Sequence, residues 1–207
     1  MARDTRSIVK MSRREGYALH PKAHKALAKR TTMPGQPANS RGPRNKASQY
    51  SLQLREKQKV KRLYGLLEKQ FSNLMKEASR RQGQSGENLL HLLELRLDNA
   101  IYRSGLAVSR RAARQLATHG HFMLNGRRVD IPSIRMKEGD VLIARPKSTK
   151  SEYFKRIDEV SPANPDAIPA WLKVDRIKLQ ITITGLPSRD DAEPDINEQL
   201  IVEYYSR

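Results

Sequence analysis

Ser109-Arg110-Arg111-Ala112-Ala113-Arg114-Gln115-Leu116, followed by His119-Gly120-His121 and Asn125-Gly126-Arg127-Arg128, carries most of the fold information in this 207-residue chain. A serine just before a helical run is a preferred N-cap, so a helix is expected to start at Ser109. A helix N-terminus offers unbonded N–H groups and partial positive charge to an anion. Arg110 and Arg114 are four apart and share a face, with Arg111 one step aside. None of the three has an acidic residue three or four positions away. The cluster therefore reads as unneutralised and suited to phosphate, whose oxygens a guanidinium matches in pairs. Gln115 on the same helix joins the candidate set. Gly120 ends the helix, and the apolar period then shifts to two. Asn125-Gly126 is a type I′ hairpin signal between Phe122-Leu124 and Val129-Ile131. Arg127 and Arg128 stand beside that turn. His119 and His121 at the corner read either as RNA contacts or as residues packed on a helix C-terminus.

Charge supports a polyanionic partner. Lys+Arg total 40 against 22 Asp+Glu, a formal net charge of +18. That field suits nucleic acid or an anionic surface. No apolar run approaches the roughly 20 residues of a membrane span, and no signal peptide is expected, so membrane is not an expected partner. Cysteine is absent, which removes disulfides and thiolate metal sites. Aromatic residues are 5%, few for a protein that grips single strands mainly by stacking. Residues 1–50 hold 12 basic and 2 acidic side chains, whereas residues 151–207 hold 7 and 11. Polyanion contact is thus expected from the first three-quarters, and a different surface from the tail.

Residues 1–47 read as an irregular basic arm with one or two short helices, one capped by Ser12 and stopped by Gly16. Arg3, Lys10, Arg13 and Arg14 are its RNA candidates, and the arm is expected to order on RNA. From Ser48 the pattern is helical, with Arg55, Lys59 and Arg62 on one stripe as further candidates. Helices are expected over 67–81, from Ser85 through the leucines to Leu97, and over 98–104. Asp98 is expected to cap the last of these or to pair with Arg103. Beyond Gly139-Asp140, Val141-Leu142-Ile143 reads as a strand and 151–160 as a helix. Trp171–Val174, Ile177–Thr184 and Leu200–Tyr205 read as strands. His20 and His24 match half a zinc ligand set, but the other half is missing, so no metal and no cofactor is expected. Arg96-Leu97-Asp98 also occurs around the catalytic aspartate of pseudouridine synthases. No catalytic-sized domain is left over, and no nucleophile elbow, phosphate loop or carboxylate pair stands out, so the chain is not expected to be an enzyme.

Leu95-Arg96-Leu97-Asp98-Asn99, Tyr102-Arg103-Ser104-Gly105, the Ser109–Leu116 run, His119-Gly120-His121 and Asn125–Ser133 resemble the S-four RNA-binding module. Leu54–Lys59, Tyr64-Gly65, Gln70-Phe71 and Asn197–Ser206 resemble the bacterial-type small-subunit ribosomal protein S four family, over essentially the whole chain. The resemblance implies an α+β fold: a mainly helical N-terminal domain, an inserted small αα-β-hairpin RNA-binding module, and a short C-terminal β segment. It implies an arm over 1–47, a helical domain with C-terminal strands over 48–93 plus 151–207, and the module over 94–150. The implied function is a cytoplasmic, ribosome-bound constituent of the small subunit. It would bind small-subunit rRNA first, nucleate assembly of the 5′ domain or body, and contribute to translational accuracy and mRNA unwinding. Implied partners are that rRNA, mRNA where it enters the subunit, and ribosomal proteins S three and S five. By that resemblance, Arg44 and Lys46 would fall in the segment that approaches entering mRNA. The alternatives are a pseudouridine-synthase-like RNA-modifying enzyme and an mRNA-leader-binding regulator. Some members hold zinc through an N-terminal cysteine cluster. Here Val9 and Ser12 stand at two of those places, Arg6-Ser7 replaces the usual glycine-proline, and Pro34-Gly35-Gln36-Pro37-Ala38 departs from the usual turn.

Overall fold

The structure, a computed structural model, describes residues 4–30, 32–35 and 47–206. Arg3, Arg44 and Lys46 lie outside the described residues. The chain divides into two compact units, one running up to Asn88 and resuming at Asp195, the other Leu89–Pro194.

The first unit is helical. Helix α1 spans Ile8–Glu15, α2 Ala23–Lys29, α3 Gln49–Leu63 and α4 Glu68–Ala78, while α5, Ser85–Glu94, begins here and ends in the second unit. The helical pattern expected from Ser48 is α3, and Ser48 caps it, accepting from Ser51 N at 3.2 Å. Ser12 is not a cap. It lies buried inside α1, where its hydroxyl donates to Ile8 O at 2.8 Å and accepts from Leu19 N at 3.3 Å. The helix starts one turn earlier than expected, after Ser7, and ends at Gly16.

The second unit is mixed. Helix α6 spans Leu97–Arg103 and α7 Arg110–Thr118; strand β1 spans Phe122–Leu124, β2 Arg127–Val129 and β3 Val141–Ala144. Short helices α8 (Pro146–Thr149), α9 (Glu152–Lys155) and α10 (Ile157–Val160) precede strands β4 (Leu172–Asp175) and β5 (Gln180–Ile183). The sheet is antiparallel throughout, in the order β2-β1-β3-β5-β4. Alternation puts Leu142 and Ala144 inward and leaves Ile143 exposed. Leu97, Ile101, Leu116 and Ala117 of the two helices pack with Phe122, Leu142, Ile181 and Ile183 of the sheet, and with Phe154 and Trp171.

Four expectations change. Residues 151–194 belong to the second unit, not to the helical domain, because β5 pairs with β3 (Leu142 opposite Ile181) and carries β4 with it. The strand expected over 177–184 begins only at Gln180. The Asp175 carboxylate accepts from Lys178 N at 3.0 Å, Leu179 takes φ 51°, and the resulting turn leaves Ile177 97% exposed. The strand expected over 200–205 is helix α11, Glu198–Tyr205. Asn197 caps it, accepting from Leu200 N at 3.3 Å, and Glu56 of α3 accepts from Asn197 N at 2.9 Å. Tyr204 packs on Tyr50, Tyr205 on Phe71, and Ile201 is fully buried. Short apolar runs suit either period, and here packing on α3 decides. The helix expected over 151–160 breaks into α9 and α10 at Arg156.

A charged seam closes the first unit. Buried Lys57 and Lys61 donate to the two oxygens of Glu68 at 2.6 and 2.7 Å, Tyr205 donates to Glu68 at 3.2 Å, and Lys57 lies over the Tyr204 ring. Burial disfavours the Glu68 carboxylate, but the two lysines outweigh it and hold its pKa at about 2. A carboxyl depressed in the folded state contributes stability above its ordinary value, near 4.5, and loses it as pH falls toward 2. Acid unfolding of Glu68→Gln is therefore expected to be flatter than that of the native chain between those values. Parallel curves would contradict the assignment. Ile201→Ala is expected to cost about 2–5 kcal/mol by chemical denaturation; a cost below about 1 kcal/mol would show that α11 is not packed as described.

Candidate nucleic-acid interface

Ser109 caps α7 through a hydrogen bond from Ala112 N at 3.3 Å. The helix then buries Ala113, Leu116 and Ala117. That burial sorts the arginines. Arg110 and Arg114 turn inward: Arg114 donates to Asp98 at 3.2 Å, and Arg110 donates to Asn99 and Glu193 at 3.0 Å each while stacking on the Tyr102 ring. Both side chains are only 12% exposed. Their acidic partners come from outside the helix, so spacing along α7 did not reveal them. Arg111, Gln115 and His119, at intervals of four, form the exposed stripe of α7.

Beneath these arginines sit two buried carboxylates, Glu94 at the end of α5 and Asp98 at the start of α6. Glu94 accepts from Asn99 Nδ2 at 2.7 Å and from Arg103 at 3.0 Å on each oxygen. Asp98 holds Arg96 through a fork of 3.0 and 2.8 Å. Asp98 thus pairs with Arg96 and Arg114, not with Arg103. The role of Glu94 was missed from sequence, although a carboxylate inside Leu92-Leu93-Glu94-Leu95 is a signal for a buried, paired charge.

The hairpin lies beside the stripe. Asn125 (φ 48°) and Gly126 (φ 81°) form the type I′ turn. The Asn125 side chain ties the hairpin to β3, donating to Asp140 at 2.8 Å and accepting from Val141 N at 2.9 Å. Arg127 and Arg128 are exposed. The Arg128 guanidinium crosses Gly120, where a Cβ would come within 2.7 Å of Nε, and Gly120 itself has φ 67°. Gly120 thus both ends α7 and admits Arg128 beside the stripe. Arg145, which sequence reasoning missed, donates to the Gly120 carbonyl at 3.1 Å. His121 faces inward. Its Nδ1 is 3.0 Å from Ser148 Oγ, its ring meets Phe154 edge-on, and burial, then the His119 and Arg145 charges, lowers its pKa. It is a corner residue, whereas His119 is exposed.

In the first unit the expected basic stripe of α3 is occupied internally. Arg55 and Arg62 both bind buried Glu15, and Lys59 donates to Asp195 O at 2.6 Å and pairs with Glu56 at 2.8 Å. Arg13 donates to Thr32 O at 2.8 Å, while Lys10 and Arg14 are exposed. No group of three or more residues able to hold a metal occurs among the described residues, His20 and His24 included. No described helix is long and apolar enough to cross a membrane.

Comparison with known families matches the ribosomal protein S4/S9 N-terminal domain to residues 3–94 and the S4 domain to residues 95–142. The small ribosomal subunit protein uS4 of Chloroflexus aurantiacus is 48% identical over 207 residues, covering all of both chains. This chain belongs to the uS4 family. The uS4 proteins of Chlorobium limicola (47% over 207 residues) and Clostridioides difficile (48% over 213 residues) are also matched over their full lengths. The S4 domain match ends at Leu142, within β3, and the sheet of this unit continues into β5 and β4, which follow the matched residues.

Arg114→Ala is expected to cost about 1–3 kcal/mol, because it strips a partner from a buried carboxylate. Arg111→Ala is expected to stay within about 0.5 kcal/mol. Equal costs in urea denaturation would contradict this division of the arginines.

Proposed function

We propose that this uS4 family member is an RNA-binding constituent of the small ribosomal subunit. It holds small-subunit rRNA through the Arg111–Gln115–His119 stripe of α7 and the Arg127-Arg128 edge of the hairpin. The observation that carries this reading is the exposure of Arg111, Gln115 and His119 along one side of α7 together with that of Arg127 and Arg128 on the hairpin. A-form RNA hides its major-groove edges from side chains, so recognition goes through backbone and shape. Cations fixed on a helix and a hairpin of one rigid unit suit phosphates at a set spacing. Such a binder favours one fold of an RNA junction over its alternatives by its differential affinity. That is the physical content of a primary binder that nucleates assembly of the 5′ domain or body.

Family membership supports a finer reading. The Arg44–Lys46 segment would stand where mRNA enters the subunit, contributing to unwinding and accuracy. The acidic tail, net negative over 151–207, would meet ribosomal protein S five, with S three a neighbour near the mRNA entry. The location implied is the cytoplasmic ribosome. The role is binding, not catalysis: Asp98, the residue that resembles a catalytic aspartate, is held by Arg96 and Arg114.

Filter binding to a small-subunit rRNA junction tests the reading. If about six phosphates are neutralised, affinity is expected to fall about a thousandfold between 50 and 200 mM salt. Arg111→Ala combined with Arg128→Ala is expected to weaken binding at least about tenfold. Salt-insensitive binding, or an unchanged curve for the double variant, would overturn the proposal. So would a modified nucleoside found by mass spectrometry after incubation with the RNA.

A further inference from the structure

Asn125 is the one asparagine of the chain followed directly by glycine. That pairing carries a chemistry of its own. The backbone nitrogen of Gly126 can attack the Asn125 Cγ, since glycine has no Cβ to block the approach. The Cγ–Nδ2 bond breaks, and the proton lost by the attacking amide leaves with Nδ2 as ammonia. A five-membered succinimide remains. Water then adds across one of its C–N bonds to give aspartate or isoaspartate. Both residues of the turn are exposed, and a Cβ built on Gly126 would meet nothing within 4 Å. Neither bulk nor burial shields the site. We propose that Asn125-Gly126 is a latent deamidation site, held closed by a hydrogen-bonded clamp from Asp140 and Val141 and opened when that clamp is released.

The clamp grips both ends of the reacting carboxamide. Nδ2, the leaving group, donates to Asp140 Oδ1 at 2.8 Å, and the Asn125 Oδ1 accepts from Val141 N at 2.9 Å. Asn125 N also donates to the Val141 carbonyl at 2.9 Å, which holds the turn against β3. Attack requires the side chain to rotate until the face of Cγ meets the Gly126 nitrogen. Two hydrogen bonds in the carboxamide plane resist that rotation. Asp140 is itself fixed, since its other oxygen accepts from Lys137 N at 2.7 Å. A bond to a charged carboxylate is the stronger kind, so Asp140 is the main restraint. The product cannot restore the clamp. An aspartate at this position would set one carboxylate against another where a donor now stands, and isoaspartate would also lengthen the turn by a methylene. Release is therefore one-way, and it frees from β3 the turn that carries Arg127 and Arg128.

Incubation of the full chain near neutral pH tests this, with peptide mapping by mass spectrometry and chromatographic separation of the aspartate and isoaspartate products. The rate at Asn125 is followed in the folded chain, in chain unfolded by guanidinium chloride, and in three folded variants. Asp140→Ala removes the acceptor, and Asp140→Asn removes the charge but keeps an acceptor. Asp130→Ala removes the same charge from an exposed residue just past β2. We expect the folded native chain to react at least about tenfold more slowly than the unfolded chain. Asp140→Ala is expected to recover most of that difference, Asp140→Asn a part of it, and Asp130→Ala none. Amide exchange at Ile183 N, which donates to the Asp140 backbone carbonyl at 3.0 Å, reports whether β3 and β5 stay paired in each variant. If Asp140→Ala loses that protection, the comparison of Asp140→Asn with Asp130→Ala decides. Equal rates in the folded and unfolded native chain would overturn the clamp. So would native rates in the folded Asp140 variants, or an equal acceleration by Asp130→Ala, which would leave charge alone as the cause.

Discussion

Glu94 and Asp98 are the constraint on which the second unit depends. Two carboxylates on either side of the break between α5 and α6, both within a leucine-rich stretch and almost inaccessible to water, carry an unsupportable desolvation cost unless cations surround them. Arg96, Arg103 and Arg114 bind them directly, and Arg110 joins through Asn99 and Glu193. That network fixes the rotation of α7 about its axis. Once Arg110 and Arg114 point down, geometry leaves Arg111, Gln115 and His119 to point out. The polar network is thus a register device: it decides which guanidinium groups serve the fold and which are presented to a partner.

The first unit repeats the logic. Buried Glu15 gathers Arg55 and Arg62, and Glu68 gathers Lys57 and Lys61. A large positive charge is therefore not all surface charge. Part of it is consumed in holding helices together, and only the remainder shapes the field a polyanion would meet.

The elements with local signals were legible in the sequence. Ser109, Ser48 and Asn125-Gly126 each carry their instruction within a few residues, and a helix or turn formed at each as expected, whereas the leucine helix from Ser85 stops at Glu94, short of the expected Leu97. The errors fell where distant partners decide. Leu200–Tyr205 has strand-like composition, yet Glu56, Tyr50 and Phe71 make it a helix. The β3–β5 pairing, across nearly 40 residues, moved 151–194 into the other unit. At the candidate interface the helix, the hairpin and the richness in arginine were visible. The sorting of those arginines was not, since Glu193 lies 83 residues from Arg110. Charge patterning along one helix cannot register a carboxylate supplied by another segment.

Arginine-specific labelling with phenylglyoxal, read by mass spectrometry with and without the rRNA junction, tests the central claim most directly. Arg111, Arg127 and Arg128 should react in the free protein and be shielded on RNA, whereas Arg96, Arg110 and Arg114 should resist the reagent in both states. Ready labelling of the latter three, with RNA protecting them and leaving Arg111, Arg127 and Arg128 reactive, would contradict the account.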